Sequence, residues 1–200
     1  AVEGPIGAGK TTLASMLSEE FQLPIIKEIV DENPFLDKFY RNMDDWSFQL
    51  EMFFLCNRYK QLEDTVMQYI AKGKPVISDY HIYKNLIFSE RTLKGTKRDK
   101  YRQIYHVLTD DLPKPNVILY IRADLDTLLQ RIEKRGRSFE DAMDTAYLQQ
   151  LIEDYDEAMT SLAIREPATP IITIDGNQVD FVENQDQFAA IASQVKEYLQ

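Results

Sequence analysis

The stretch "GPIGAGKTT" has the residue types and spacing of a phosphate-binding loop. It fills every fixed position of G-x-x-x-x-G-K-[ST], with the members Gly4, Pro5, Ile6, Gly7, Ala8, Gly9, Lys10, Thr11 and Thr12. Backbone N–H groups of such a loop surround phosphate oxygens, and the following helix directs its positive N-terminus at them. We expect Lys10 to reach the β- and γ-phosphates of ATP and the Thr11 hydroxyl to ligate Mg²⁺. The alternative, a chance Gly-rich turn, is disfavoured by the strand-like run before it and the helical pattern after it.

A second stretch, "RIEKRGRSFE", gathers four cations in a chain whose net charge is −10. Arg131, Lys134 and Arg135 lie at i, i+3 and i+4 and so share one helix face, and Arg137 lies just beyond Gly136. One interpretation is a helix C-terminus that attracts cations to its negative end. The other is a lid whose arginines stabilise the charge that develops during phosphoryl transfer. The nearby phosphate loop favours the lid.

Two carboxylates are predicted at the carboxyl ends of neighbouring strands. Glu28 ends the run "PIIKE" and Asp79 ends the run "PVISD". One could accept the proton of an attacking hydroxyl, and the other could hold Mg²⁺ or its water. The residues alone do not decide which is the base. Solvated surface acids are the alternative, and we assign that role to Asp31 and Glu32.

The composition narrows the class of protein. The chain has 200 residues, 44% of them hydrophobic, which suits one domain, 1–200, with a sizeable core. The net charge of −10 argues against a nucleic acid polymer as partner. Its single cysteine, Cys56, excludes an internal disulfide and favours a cytoplasmic setting. No apolar run is long enough to cross a membrane.

Short β-rich runs alternate with longer helical patterns, which is typical of an α/β fold with a parallel sheet. We predict a P-loop kinase fold: a five-stranded parallel sheet flanked by helices, with the Arg-rich lid. The predicted strands are Ala1–Gly4, Pro24–Ile29, Pro75–Asp79, Asn116–Ile121 and Pro170–Asp175. The predicted helices are Lys10–Phe21, Asp45–Ala71, Tyr83–Thr92, Lys97–Thr109, Leu125–Arg135, Thr145–Leu162 and Gln185–Leu199.

Three functions fit these patterns. A small kinase needs an acceptor hydroxyl beside the phosphate loop. A nucleoside monophosphate kinase would also need a cation for the acceptor phosphate. A nucleotide-binding module would bind ATP without transferring its phosphate; its GTPase-switch form is disfavoured because the chain has no Asn-Lys pair of the guanine-reading kind.

Several segments together resemble the deoxynucleoside kinase family. The phosphate loop, Glu28, "WSFQ", Asp79 and the "RIEKRGRSFE" lid stand in that family's order and spacing. "NPFLDKFY", "WSFQLEMFFLC", "SDYHIYKN" and "LTDDLPKPN" are most similar to its small bacterial deoxyguanosine kinases. The resemblance implies transfer of the γ-phosphoryl group of ATP, with Mg²⁺, to the 5′-hydroxyl of a purine deoxynucleoside. Deoxyguanosine is the first expectation, with deoxyadenosine or a broader range as the alternative.

The resemblance also implies roles for individual residues. Glu28 would be the general base beside the 5′-hydroxyl, and Arg131, Arg135 and Arg137 would close over ATP. Gln49 would bind the edge of the base, with Phe48 and Phe53 against the ring. Tyr40 and Glu140 would hold the 3′-hydroxyl. Family members tend to be dimers, so we expect a homodimer through the long helix Asp45–Ala71.

The sequence departs from the family pattern at three positions. Tyr80 follows Asp79 where the family commonly has Arg, so a cation expected near the 5′-oxygen is missing. This absence also argues against a monophosphate acceptor. Cys56 stands where the long helix commonly carries a cation, and Asn85 where an acidic residue is common. We predict that Tyr80 and Asn85 line the nucleoside pocket.

Overall fold

The computed structural model describes residues 1–199 and shows strands alternating with helices. The strands are β1 (Val2–Glu3), β2 (Ile25–Ile26), β3 (Ile77–Ser78), β4 (Ile118–Arg122) and β5 (Ile171–Asp175). The helices are α1 (Lys10–Phe21), α2 (Leu36–Arg41), α3 (Met43–Gln68), α4 (Lys84–Thr92), α5 (Gly95–Thr109), α6 (Leu125–Arg135), α7 (Thr145–Arg165) and α8 (Gln185–Lys196). Short 3₁₀ helices form at Ile70–Lys72 and Ser138–Glu140. The α/β class is therefore confirmed.

The strands are parallel, but they do not form the predicted sheet of five. They lie in a three-stranded sheet of order β1-β4-β5 and a two-stranded sheet of β2 and β3. A side chain connects the two sheets: Glu3 Oε1, at the end of β1, accepts a hydrogen bond from the N–H of His81, in the segment after β3, at 2.5 Å. The prediction of one five-stranded sheet is wrong.

Helix α1 fixes the phosphate loop because it is anchored in the core. Leu13, Ala14 and Leu17 recur at helical spacing and are fully buried against the strands of the larger sheet. Burial of one leucine side chain stabilises the fold by roughly 1.5–3 kcal/mol. The loop that precedes α1 is thus held by a rigid element.

The long helix α3 runs from Met43 to Gln68 rather than over the predicted range Asp45–Ala71. The Asn42 side chain caps its start by accepting a hydrogen bond from the Asp45 N–H. Helix α2 was not predicted, whereas α7 extends past its predicted end and α8 stops short of it. Within residues 1–199, no helix combines the length and apolar character needed to span a membrane.

Candidate active site

One cavity of about 980 Å³ holds most of the predicted site. Its wall includes the predicted residues Ile6, Gly7, Gly9, Lys10, Thr11, Thr12, Glu28, Tyr40, Asp79, Arg131, Arg135, Arg137 and Glu140. Other predicted residues are not part of this wall, namely Gly4, Pro5, Ala8, Phe48, Gln49, Phe53, Tyr80 and Asn85. Gly4, Pro5 and Ala8 belong to the phosphate loop, whose other members do line the cavity. The cavity therefore joins the phosphate loop, both carboxylates and the lid.

The phosphate loop presents an open helix N-terminus and a buried lysine. Gly9 precedes α1 with φ of 95°, and no side chain among the described residues caps the first turn. The Lys10 ammonium donates to the Gly4 and Pro5 carbonyls at 2.8 and 2.9 Å. Burial, together with the charge of Lys84, lowers the pKa of Lys10 to about 7. Phosphate oxygens would favour the charged form, so binding of a triphosphate would restore the full charge of this lysine.

Gly7→Ala is expected to distort the phosphate loop. Gly7 has φ of +84°, and an added Cβ would lie 2.9 Å from both Leu128 O and Ile132 Cγ1. Left-handed backbone and overpacking each cost on the order of 1–3 kcal/mol. Thermal unfolding should show a lower melting temperature, and equilibrium dialysis should show weakened ATP binding. Gly73→Ala is the matched control, because Gly73 has φ of +68° but no atom within 4 Å of an added Cβ. Equal effects of the two changes would contradict the packing argument.

The Asp79 carboxylate links the phosphate loop to Glu28. The Thr11 hydroxyl donates to Asp79 Oδ2 at 2.8 Å, and the Glu28 backbone N–H donates to Asp79 Oδ1 at 2.8 Å. A hydroxyl and a carboxylate are oxygen ligands that suit Mg²⁺. Residues 1–199 contain no group of three or more acidic, His or Cys side chains that could hold a metal by themselves. The Thr11 hydroxyl and the Asp79 carboxylate therefore fit an ion that takes its remaining ligands from nucleotide phosphates and water.

The Glu28 carboxylate is buried between two cations from different helices. Arg58 of α3 donates to Oε1, with its Nε at 2.8 Å, and Lys84 of α4 donates to Oε2 at 2.8 Å. Burial alone would raise the pKa of Glu28, but the charges of Arg58 and Lys84 outweigh it and hold the pKa well below its usual range. Glu28 is thus ionised at neutral pH and lies beside the phosphate loop.

A deeper part of the cavity is largely apolar and contains a second buried carboxyl group. Leu50 and Phe54 of α3 and Phe88 of α4 line it, together with Glu51, which is 1% exposed. The Thr92 hydroxyl donates to Glu51 Oε1 at 2.8 Å, and no described residue donates to Oε2. Burial raises the pKa of Glu51 to about 7. Glu51 therefore offers a free acceptor oxygen to a ligand that enters this part.

The lid begins where α6 ends at Arg135 and Gly136 turns the chain with φ of 65°. The Arg135 guanidinium donates to Glu140 Oε1 at 2.5 Å, while Glu140 Oε2 is buried without a partner. Arg137 Nε lies 3.3 Å from Asp31, so Asp31 is not merely solvated. The predicted cations and Glu140 thus converge at the cavity.

Arg131 has a different placement from the other lid arginines. Its guanidinium donates to the carbonyls of Ala8 and Gly176 at 3.0 and 2.8 Å. It therefore joins the phosphate loop to the loop after β5, and both of these border the cavity. Arg131 holds the wall in shape in addition to presenting charge.

Comparison with known proteins identifies the family. The family model described as "Deoxynucleoside kinase" matches residues 1–200. The chain belongs to the deoxynucleoside kinase family. A deoxyguanosine kinase of Bacillus subtilis (strain 168) is 61% identical over 199 residues, which cover 100% of this chain and 96% of that protein. A deoxyadenosine kinase of Lactobacillus acidophilus is 31% identical, with 99% and 94% covered. The solved structure of a deoxyadenosine kinase from M. mycoides with bound dCTP superposes with a TM-score of 0.82, at 25% identity and 98% coverage of each chain.

This deoxynucleoside kinase carries the two cations that the sequence suggested were missing. Arg58, two residues after the exposed Cys56, supplies the charge from the long helix, and Lys84 supplies one near Glu28. Neither Arg58 nor Lys84 was predicted from the sequence. A signal was present: Glu51 and Arg58 are charged residues seven apart on the same face as Leu50 and Phe54, where a core helix would be apolar.

The structure does not bring Gln49 and Phe48 to the cavity of this kinase. Gln49 is exposed, because it lies about 200° around α3 from Glu51. Phe48 packs instead in a separate apolar cluster that includes Leu55 and Tyr101. The α3 side chains that line the cavity are instead Leu50, Glu51, Phe54 and Arg58.

Tyr80 and Asn85 likewise lie behind the wall, contrary to the prediction that they line the nucleoside pocket. Tyr80 follows β3, is 1% exposed and lies outside the cavity wall. Its hydroxyl donates to Gln61 Oε1 at 3.1 Å. Asn85 is fully buried and donates to the Tyr101 hydroxyl of α5 at 2.8 Å. Both residues support the pocket from outside.

Proposed function

We propose that this kinase transfers the γ-phosphoryl group of ATP to the 5′-hydroxyl of deoxyguanosine and so forms dGMP. The observation that carries the proposal is that one cavity contains both a complete phosphate loop and an ionised carboxylate, Glu28, bound by two cations. Full-length identity of 61% to a deoxyguanosine kinase supports the choice of nucleoside.

The residues divide the chemistry among them. Glu28 accepts the proton of the 5′-hydroxyl, and Lys10 with Arg135 and Arg137 offsets the charge on the transferred group. Tyr40 and Glu140 are assigned to the 3′-hydroxyl of the sugar. Mg²⁺, when bound, neutralises charge on the β- and γ-phosphates, and Thr11 with Asp79 would hold it.

Glu51 is proposed to read the base. Guanine presents two adjacent donors, N1–H and the N2 amino group, whereas the corresponding edge of adenine offers an acceptor at N1 and a donor at N6. An ionised carboxylate accepts hydrogen bonds only, so it matches guanine. Thr92 already occupies Oε1 in part, and Oε2 is free for the base. The pKa of about 7 leaves a protonated fraction that could pair with adenine, which favours deoxyadenosine as the second candidate substrate.

Glu51→Gln is expected to shift the base preference from guanine toward adenine. An amide can both donate and accept, and the loss of a charge-assisted bond costs roughly 1.5–3 kcal/mol, or about 10- to 100-fold in kcat/KM for deoxyguanosine. Steady-state kinetics on deoxyguanosine and deoxyadenosine measure the shift. Gln49→Ala is the matched control from the exposed side of the same helix and should change neither value. A change in the control but not in Glu51→Gln would restore Gln49 as the base-reading residue.

A panel of acceptors tests the proposed function. Purified protein with ATP and Mg²⁺ is offered each of the four deoxynucleosides and dGMP, and ADP release is measured. Fastest release with deoxyguanosine supports the proposal, and fastest release with deoxyadenosine supports the second candidate. Release with dGMP alone would indicate a monophosphate kinase, and ATP binding without release a nucleotide-binding module.

The homodimer and the cytoplasmic location stay predictions. Near the C-terminal end of α3, Met67 is 57% exposed and Ile70 in the following 3₁₀ helix is 37% exposed, which supports a subunit contact there. Sedimentation equilibrium of the wild type and of Met67→Glu tests the dimer: the wild type should have twice the mass of the chain, and the variant should be partly dissociated.

A further inference from the structure

Lys84 is a buried cation, and its ion pair with Glu28 does not by itself explain why a cation is placed there. Its side chain is 6% exposed, it lines the cavity, and its Nζ lies 2.8 Å from Glu28 Oε2. Glu28 already has a full counter-charge in Arg58, which is more deeply buried still. A buried ammonium costs several kcal/mol in desolvation, and Lys84 also repels the nearby Lys10. The carboxyl groups of Glu3 and Glu51 act on Lys84 at longer range, but Glu28 is its one ion-pair partner among the described residues.

We propose that Lys84 is a catalytic residue that binds the 5′-oxygen as that oxygen takes up the phosphoryl group. The inference rests on the proposed function, because it needs a nucleoside hydroxyl on Glu28. A hydroxyl that donates to Glu28 lies about 2.7 Å from the carboxylate. Lys84 binds Oε2 of this carboxylate, so a hydroxyl that donates to the same oxygen has its 5′-oxygen at most about 5.5 Å from Lys84 Nζ. Rotation about the side-chain bonds of Lys84 would bring its ammonium group across that distance to the 5′-oxygen.

The transfer itself gives Lys84 a reason to change partner. The O–H bond of the 5′-hydroxyl breaks and its proton goes to Glu28; the 5′-oxygen forms a bond to the γ-phosphorus; and the bond from that phosphorus to the β,γ-bridging oxygen breaks, so ADP leaves with the electron pair. Glu28 becomes neutral, and Lys84 loses its counter-charge at the moment when the new phosphate monoester gains charge. The contact is stronger in the transition state than before it, which is the kind that accelerates a reaction.

The local fold explains why the cation is at position 84. Tyr80 is 1% exposed and lies outside the cavity wall, with its hydroxyl against Gln61, so position 80 does not present its side chain to the cavity. The chain then turns, with the Lys84 N–H donating to the His81 carbonyl at 3.0 Å, and Lys84 opens helix α4. From there its side chain reaches the cavity.

The rival role is that Lys84 only keeps Glu28 ionised. In that case its removal raises the pKa of Glu28, so activity is lost only at pH values below that raised pKa and returns in full above it, where Glu28 is ionised. The affinity for dGMP would not change. If Lys84 binds the transferred group, activity is lost at every pH, and dGMP binds more weakly because its 5′-phosphate loses a cation.

Lys84→Met and Lys84→Arg decide between these roles. For Lys84→Met we expect kcat to fall on the order of 10²-fold across the pH profile, and dGMP affinity measured by calorimetry to fall about 10-fold. Deoxyguanosine affinity should change far less, and Lys84→Arg should regain most of the rate. Full recovery of Lys84→Met at high pH with unchanged dGMP affinity would overturn the proposal.

Two controls keep the test independent of folding and of the proposed function. Lys100→Met removes an exposed lysine and should behave as the wild type. If Lys84→Met does not fold by circular dichroism, Lys84→Arg and Lys84→Gln are measured instead, and full wild-type rate and dGMP affinity in Lys84→Gln would overturn the proposal. If the wild-type panel shows another nucleoside as substrate, the proposed function fails, and Lys84 is tested with that nucleoside and its 5′-monophosphate.

Discussion

Glu28→Gln is expected to lower the turnover number by roughly 10²-fold or more, the usual scale for a positioned acid–base group. The amide keeps the shape of the side chain but cannot take a proton from the 5′-hydroxyl. ATP binding should persist, because Lys10 and the loop backbone are untouched. Stopped-flow or steady-state measurement of ADP release with saturating ATP and deoxyguanosine gives the value. An undiminished rate would exclude Glu28 as the base.

The same substitution is expected to destabilise the fold. Arg58 and Lys84 would both remain buried while their shared carboxylate is replaced by a neutral group. Removal of one partner from a buried ion pair typically costs about 3–5 kcal/mol, and the amide oxygen, which still accepts a hydrogen bond, reduces that cost. Turnover is therefore compared at a temperature where circular dichroism shows the variant folded. Glu32→Gln changes an exposed acid close by in the chain and is the control.

The low pKa of Glu28 also bears on when the proton moves. A carboxylate stabilised by two cations is a weak base toward a free alcohol, whose pKa is far higher. The proton therefore transfers only as the bond from the 5′-oxygen to phosphorus forms, which agrees with the loose transition state typical of phosphoryl transfer. The ionised fraction of Glu28 should then persist well into the acidic range, whereas that of Glu51, whose pKa is about 7, falls first as the pH drops.

The structure brings to one cavity the residues that short contiguous motifs predicted, and their roles stay predictions. The phosphate loop and the lid each depend on a short contiguous motif, and Glu28 and Asp79 each end an apolar run. All of them line the cavity. Their convergence follows because carboxyl ends of parallel strands share one edge of a sheet.

Residues whose role depends on which side of a helix or strand they occupy were predicted poorly. A motif showed that α3 contributes to the pocket, but not which face does so, and Gln49 was chosen where Glu51 projects inward. Tyr80 was expected at the pocket because it follows Asp79, yet its side chain is buried with its hydroxyl on Gln61 of α3. Arg58 and Lys84 could be recognised only once two helices were placed around Glu28.

One buried group connects these elements and explains part of the precision of the site. Glu3 is fully buried at the end of β1; its Oε1 accepts from the His81 N–H, and its Oε2 accepts from the Gly4 N–H and the Tyr155 hydroxyl, each at 3.2 Å. It therefore ties the phosphate loop to the segment that leads into α4. Glu3 therefore helps to position both Lys10 and Lys84, although the helices that carry them follow strands of different sheets.

Arg135→Ala is expected to lower turnover by about 10²- to 10³-fold, toward the lower end of the effects known for arginines that stabilise a transferring phosphoryl group. The charge that Arg135 would meet grows in the transition state, so kcat should fall more than the affinity for deoxyguanosine. The pairing with Glu140 adds a second effect. Without Arg135, the Glu140 side chain, which is 4% exposed, has no cation on Oε1. We expect the affinity for deoxyguanosine to change by a few-fold only, because Glu140 itself is kept.

Single-turnover kinetics separate the two effects, because they report the transfer step apart from nucleoside binding. Arg41→Ala is the matched control, since it removes an exposed arginine whose partner is Asp37 in the same short helix. The control should retain the wild-type transfer rate. An Arg135→Ala variant that also retains it would return the cation cluster to the simpler explanation, a helix C-terminus that attracts positive side chains.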